Sequence, residues 1–194
     1  MQLLRLFIAL TFSPEDLQKI IKTMIDLQRL FPKHGLRWVQ PSNIHLTMKF
    51  LGNVENSRLP ELKLSLLSAV EDIPPFSTEL GGLRAYPSIA HPQIIYLGLK
   101  PDASLDILFV QLENSLLNIG FPKERKGFSP HVTLARISDH ITESDRKSIS
   151  TVLKSIDVPV LSSPIFDTLY LVKSELNLSG PTYTRLFSAL LPAK

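Results

Sequence analysis

The chain has 194 residues, 44% of them hydrophobic and 20% charged, with a net charge of +3. That balance excludes a disordered chain, and the length suits one domain, or one domain with two lobes, around a substantial core. Cysteine is absent, which excludes disulfides, thiolate metal sites and cysteine nucleophiles, and no stretch approaches the ~18 apolar residues of a membrane span.

The opening MQLLRLFIAL reads as a β-strand over 3–11 rather than as a signal peptide. Its apolar run is brief, and helix-start chemistry follows at once. Ser13-Pro14-Glu15-Asp16 supplies an N-cap, an early proline and two acids in a first turn. Leu17, Ile20, Ile21, Met24, Leu27 and Leu30 then recur at helical spacing and predict a helix over 14–30. Three more helices are predicted, over 57–71, over 102–119 between Asp102 and Gly120, and over 142–156 from Thr142. β-type stretches lie at 35–40, 44–51, 76–86, 92–100, 129–136, 164–172 and 182–190. Pro74-Pro75, Gly81-Gly82, Pro87 and Ser162-Ser163-Pro164 punctuate them. The pattern is a mixed α+β chain of about four helices and eight strands. It also has a coarse echo: strand 44–51 leads into a helix and two strands, and so does strand 129–136.

Each of those two strands carries His-apolar-Thr-apolar, within IHLTMKF at 44–50 and PHVTLA at 130–135. With only five histidines in the chain, these triplets exceed chance. A third, His140-Ile141-Thr142, is better read as a loop histidine ahead of a helix capped by Thr142. In a strand, residues i and i+2 share a face, so His45 points with Thr47 and His131 with Thr133. Leu46, Met48, Val132 and Leu134 point the other way, to pack under helices. If the two halves face each other, two imidazoles and two hydroxyls line one cleft.

That set suits metal-free displacement at phosphorus. An in-line reaction needs a base on the attacking oxygen and an acid on the leaving oxygen, and two imidazoles near their ordinary pKa of ~6.5 can serve. Threonine hydroxyls can donate to the non-bridging oxygens, where charge accumulates. Two half-buried strand histidines with satisfied hydrogen bonds would give the same residue pattern, so packing stays open at this point. Zinc fits less well, because no carboxylate lies within four residues of either histidine. The sequence pI of about 9.2 is compatible with an anionic ligand such as RNA.

RLFIAL at 5–10, NIHLTMKFLGNV at 43–54, IIYLGL at 94–99, GFPKERKGFSPHVTLAR at 120–136 and SELNLSGPTYTRL at 174–186 extend the pattern over nearly the whole chain. Together they resemble the 2H (two-histidine) phosphoesterases, specifically the RNA 2′,3′-cyclic phosphodiesterase branch once named 2′-5′ RNA ligases. The resemblance implies a single domain over 1–194, α+β and bilobal, with two pseudo-symmetric antiparallel sheets facing across a central cleft and helices on the outer faces. It implies hydrolysis of a terminal 2′,3′-cyclic phosphate to a 2′-phosphate without metal or cofactor. By position, His45 would be the general acid on the 3′-oxygen and His131 the base for water, with Thr47 and Thr133 holding the phosphate. Arg136 would add a charged contact, although strict alternation places it on the face opposite His131. Either the strand bulges or ends before 136, as the resemblance requires, or Arg136 is a surface residue.

Phe7 and Phe128 are candidates for stacking a base, with core packing as the other reading, and Trp38 is a weaker one. Lys123, Arg125 and Lys126 would steer an RNA backbone or simply form a solvated loop. The segment Gly81–Pro87 departs from the family's Gly/Phe-Pro pattern and leaves substrate preference open. RNA ends or nucleotides bearing a 2′,3′-cyclic phosphate are the expected partners, for a monomer in the cytoplasm with no membrane contact. Two alternatives remain beside hydrolysis: a 2′-5′ RNA ligase or 2′-5′ oligonucleotide phosphodiesterase, and a non-catalytic module that captures RNA ends. Permanent cations such as Arg would suit pure capture better than paired histidines.

Overall fold

Helical and strand periodicities produce four α-helices and eleven strands in the computed structural model, which describes residues 2–125, 127–177 and 180–193. The chain runs β1 (Leu3–Leu10), α1 (Pro14–Leu30), β2 (Leu36–Trp38), β3 (Leu46–Glu55), α2 (Leu59–Val70), β4 (Phe76–Ser77), β5 (Leu80–Pro87) and β6 (Pro92–Leu99). It continues through α3 (Ala103–Leu117), β7 (His131–Ile137), α4 (Glu143–Ser155), β8 (Val160–Ser162), β9 (Ile165–Phe166), β10 (Thr168–Asn177) and β11 (Gly180–Leu190). All four expected helices are present. Ser13 caps α1 by accepting from the Asp16 N–H at 3.1 Å, and Thr142 caps α4 in the same way through Asp145, contacts each worth about 1 kcal/mol.

Two expected strands divide. The stretches 76–86 and 164–172 each lose a short leading piece, β4 and β9, and these two pair only with each other. The remainders join the main sheets. One sheet has the order β11-β10-β1-β3 and the other β2-β7-β6-β5-β8, antiparallel throughout.

The echo between the halves is crossed rather than side by side. After β3 and α2, the hairpin β5–β6 enters the second sheet; after β7 and α4, the hairpin β10–β11 enters the first. Each half thus lends two strands to the sheet that holds the other half's His-x-Thr motif. The motifs also differ in position, since β3 is an edge strand while β7 lies between β2 and β6.

One buried apolar cluster draws on both sheets and all four helices, including Ile8, Leu46, Leu97, Val132, Ile20, Leu62, Leu105 and Ile149, all at 0% exposure. Each such side chain contributes about 1.5–3 kcal/mol of apolar burial. Inside it sits an ion pair: Lys49 of β3 donates to Glu113 of α3 at 2.5 Å and to the Pro122 carbonyl at 2.8 Å. The other Glu113 oxygen accepts from the Glu124 N–H at 2.7 Å. This network fastens the first motif's strand to the loop that leads to the second. No helix of the described residues is long and apolar enough to cross a membrane.

Candidate active site

The alternation that buries Val132 sends its neighbours the other way. Ile94, Tyr96 and Gly98 share one face of β6, and they pair in turn with Arg136, Thr133 and His131 of β7. On the opposite face Ile95 and Leu97 pair with the fully buried Ala135 and Val132. Leu134 is the extra residue in this register, so β7 bulges there and Arg136 returns to the side of His131 and Thr133. The bulge resolves the conflict between alternation and a cleft-facing Arg136.

The first sheet presents the face that carries the first motif in the same manner. Phe7 and Ala9 of β1 pair with Phe50 and Thr47 of β3, and with Val172 and Tyr170 of β10. Phe7, Ala9 and Val172 form a small buried cluster on the side of the sheet away from the main core, with Tyr170 and Tyr183 packed against it. β3 is itself irregular twice, and Gly52 at φ +73° supplies the left-handed conformation at the second irregularity, which explains the glycine of the FLG run.

His45 stands just ahead of β3. Its Nδ1–H donates to the Asn43 carbonyl at 2.7 Å, which leaves Nε2 facing Thr47 Oγ1 at 2.9 Å. His131 repeats the tether: Nδ1–H donates to the Ser129 carbonyl, again two residues back, at 2.8 Å. A carbonyl can only accept, so both rings are fixed with Nε2 as the working nitrogen. Phe7 and Tyr183 pack on the His45 ring, with centroids 4.9 Å and 5.4 Å away, and Tyr96 packs on the His131 ring at 5.1 Å.

The two sheets meet electrostatically at this point. Burial pushes the His45 pKa below the ordinary value, against the opposing pull of the Asn43 carbonyl, and the charges of His131 and Arg136 lower it further. Burial raises the Tyr183 phenol, while Arg136 and Arg5 act in the opposite direction. Arg136 of the second sheet thus lies within electrostatic reach of both His45 and Tyr183 of the first. His45 and Tyr183 also line a cavity of about 70 Å³, with Phe7, Asn43 and Arg185. A second hollow of about 220 Å³ adjoins it through Asn43 and Tyr183 and is bordered by Gln40 and Thr182.

His45, Thr47, His131, Thr133 and Arg136 are therefore placed on the facing sides of the two sheets. Phe7 is there too, but only 3% exposed, so it forms the floor under His45 rather than an open stacking surface. Phe128 stacks flat on Phe109 of α3, centroids 4.2 Å apart and planes at 8°, and joins the core, as the packing reading allowed. Trp38 packs edge-on against Phe31. Lys123 and Arg125 are exposed in the loop before β7, and Lys126 lies outside the described residues. Sequence reasoning missed Tyr183 and Tyr96, the aromatics that touch the two imidazoles. Tyr183 and Arg185 alternate in PTYTRL, a signal that could have placed both on one face. Among the described residues, no group of three or more His, Asp or Glu side chains is gathered as a metal site.

Facing antiparallel sheets, each delivering a His-x-Thr pair, define the architecture of a two-histidine phosphoesterase. The comparisons agree with that architecture. A family model described as LigT like Phosphoesterase matches residues 12–96. A curated RNA 2′,3′-cyclic phosphodiesterase of Thermotoga maritima is 29% identical over 95% of this chain and 94% of its own. Another, of Aquifex aeolicus, is 27% identical over 95% of both. The crystal structure of E. coli LigT complexed with 3′-AMP superposes with a TM-score of 0.76 at 25% identity, covering 98% of this chain and 99% of that one. The chain is thus similar to a LigT-like phosphoesterase model over residues 12–96, and over nearly all of its length to curated RNA 2′,3′-cyclic phosphodiesterases and to LigT.

Proposed function

We propose that the protein hydrolyses the 2′,3′-cyclic phosphate of an RNA end or nucleotide to a 2′-phosphate, without metal. The observation that carries this reading is the matched tethering of His45 and His131, each held through Nδ1 by the carbonyl two residues back. Water attacks phosphorus in line with the 3′-oxygen and gives its proton to His131 Nε2. As the P–O3′ bond breaks, His45 Nε2 passes a proton to the departing 3′-oxygen, leaving a 3′-hydroxyl and a 2′-phosphate. The ring strain and internal leaving group of the substrate leave the site mainly to position water.

The hydroxyls and Arg136 act on the phosphoryl oxygens. When His45 is neutral, Thr47 Oγ–H donates to Nε2; when His45 is protonated, Nε2–H donates to Thr47 Oγ and the hydroxyl proton is released toward the substrate. Arrival of the anionic phosphate favours the protonated form and offsets the burial that depresses its pKa. Thr133 and the Arg136 guanidinium serve the same oxygens from the second sheet. Tyr183, half-buried between the two hollows, offers an aromatic face to the base.

The deciding assay is a nucleoside 2′,3′-cyclic phosphate incubated with EDTA present, with the product read by phosphorus NMR. A 2′-phosphate is expected. A 3′-phosphate product, or activity that vanishes with the chelator, overturns the reading. Tight retention of the nucleotide with no product over hours would favour the RNA-end-binding alternative.

A further inference from the structure

The five strands of the second sheet contain no Asp or Glu, yet they place three arginines on the face shared with His131. Register fixes their order. Gly98 lies beside His131; Tyr96 lies between Thr133 and Arg84; Ile94 lies between Arg136 and Tyr86, and Arg37 flanks Arg136 from β2. All of Arg37, Arg84, Tyr86 and Arg136 are exposed, Tyr86 at 50%. None of the three arginines has an acidic partner among the described residues, whereas Lys19, Arg29, Lys49, Arg58, Lys100 and Lys173 all do. Gly98 adds a built feature: a Cβ there would come within 3.2 Å of the Arg84 side chain, so the absent side chain lets the guanidinium lie on the sheet next to His131.

Unpaired arginines interleaved with tyrosines are the chemistry of a single-stranded nucleic-acid track, with guanidinium groups for phosphates and aromatic faces for bases. From Gly98 to Ile94, four residues at ~3.3 Å each extend the face about 13 Å beyond the row of His131. That is the scale of a short run of nucleotides. We propose that the RNA leading to the cyclic phosphate lies across this face, from Arg84 and Tyr96 out to Tyr86 and Arg37, so that the preferred substrate is an RNA strand end and not a free nucleotide. This proposal rests on the phosphodiesterase reading above and adds to it the path of the strand.

The test compares two substrates with the same reacting group, a nucleoside 2′,3′-cyclic phosphate and an oligoribonucleotide ending in one. Each is assayed at two salt concentrations with wild type, Arg37→Ala and Tyr86→Ala, both at exposed positions outside the catalytic group. The wild type is expected to have a higher kcat/KM on the oligonucleotide, with a steeper salt dependence. Tyr86→Ala should cost roughly 5- to 100-fold on the oligonucleotide, and Arg37→Ala should flatten its salt slope by about one. Mononucleotide turnover should stay within about twofold. Equal losses on both substrates, or no preference for the oligonucleotide, would overturn the track. If neither substrate turns over, the phosphodiesterase reading itself fails. Anisotropy of a labelled oligoribonucleotide then still decides the track: weaker binding in both variants supports it, and unchanged binding sinks it.

Discussion

The two imidazoles are alike in their tethers and different in their surroundings. His45 is packed by Phe7 and Tyr183, while His131 stands more open beside Tyr96. His45→Ala and His131→Ala should each lower kcat by ~10²–10⁴. A phosphodiester with an easily expelled leaving group separates their roles: it should recover much of the loss in the His45 variant and none in the His131 variant. The reverse pattern would exchange acid and base. A stability effect follows from the same burial. Because the folded pKa of His45 is lowered, the unfolded chain takes up its proton first as pH falls past ~6.5. The stability contributed by neutral His45 is complete above that pH and is lost as pH drops toward the folded value. Urea unfolding at pH 8 and pH 5 should show a larger decline for wild type than for His45→Gln. At this scale the sequence was legible for the motif residues, since a period of two fixes which side chains travel together. It was ambiguous for Phe7 and Phe128, because an aromatic in an apolar run looks the same whether it lines a site or fills a core.

Strand irregularities decide what the motifs can reach. A straight β7 would turn Arg136 into the core, and the extra residue Leu134 prevents it. Nothing in HVTLAR announces a bulge, which depends on how β6 aligns alongside. The divisions at 76–86 and 164–172 are equally tertiary, because β4 and β9 exist only by pairing with each other. Lys49 is the clearest departure from pattern, a charge 4% exposed in a motif strand, matched by Glu113 at 5%. Lys49→Met leaves a buried carboxylate unpaired and should cost about 3–5 kcal/mol. Adding Glu113→Leu should recover part of that loss, and denaturant titration of the single and double variants measures the coupling. A double variant no better than the single would place the cost in the Pro122 and Glu124 contacts instead.

The general α+β layout, with its four helices, was visible in the sequence, but the exchange of hairpins between sheets was not. Which sheet a hairpin joins is set by partners far along the chain, and periodicity does not record it. The exchange predicts cooperative behaviour. Trp38, the single tryptophan, sits in the second sheet, so its fluorescence reports that lobe while far-UV circular dichroism reports both. Coincident urea transitions are expected, given the shared core, and separated midpoints would show two independently stable lobes. The late hairpin also imposes an order on synthesis. Translation delivers both histidines well before β10 and β11, yet Val172 and Tyr183, which wall in Phe7 and His45, arrive only with that hairpin. A nascent chain stalled short of it has the second motif's sheet complete but leaves His45 and Thr47 beside a two-stranded remnant of the first, so turnover is expected only once the last strands have emerged and joined it.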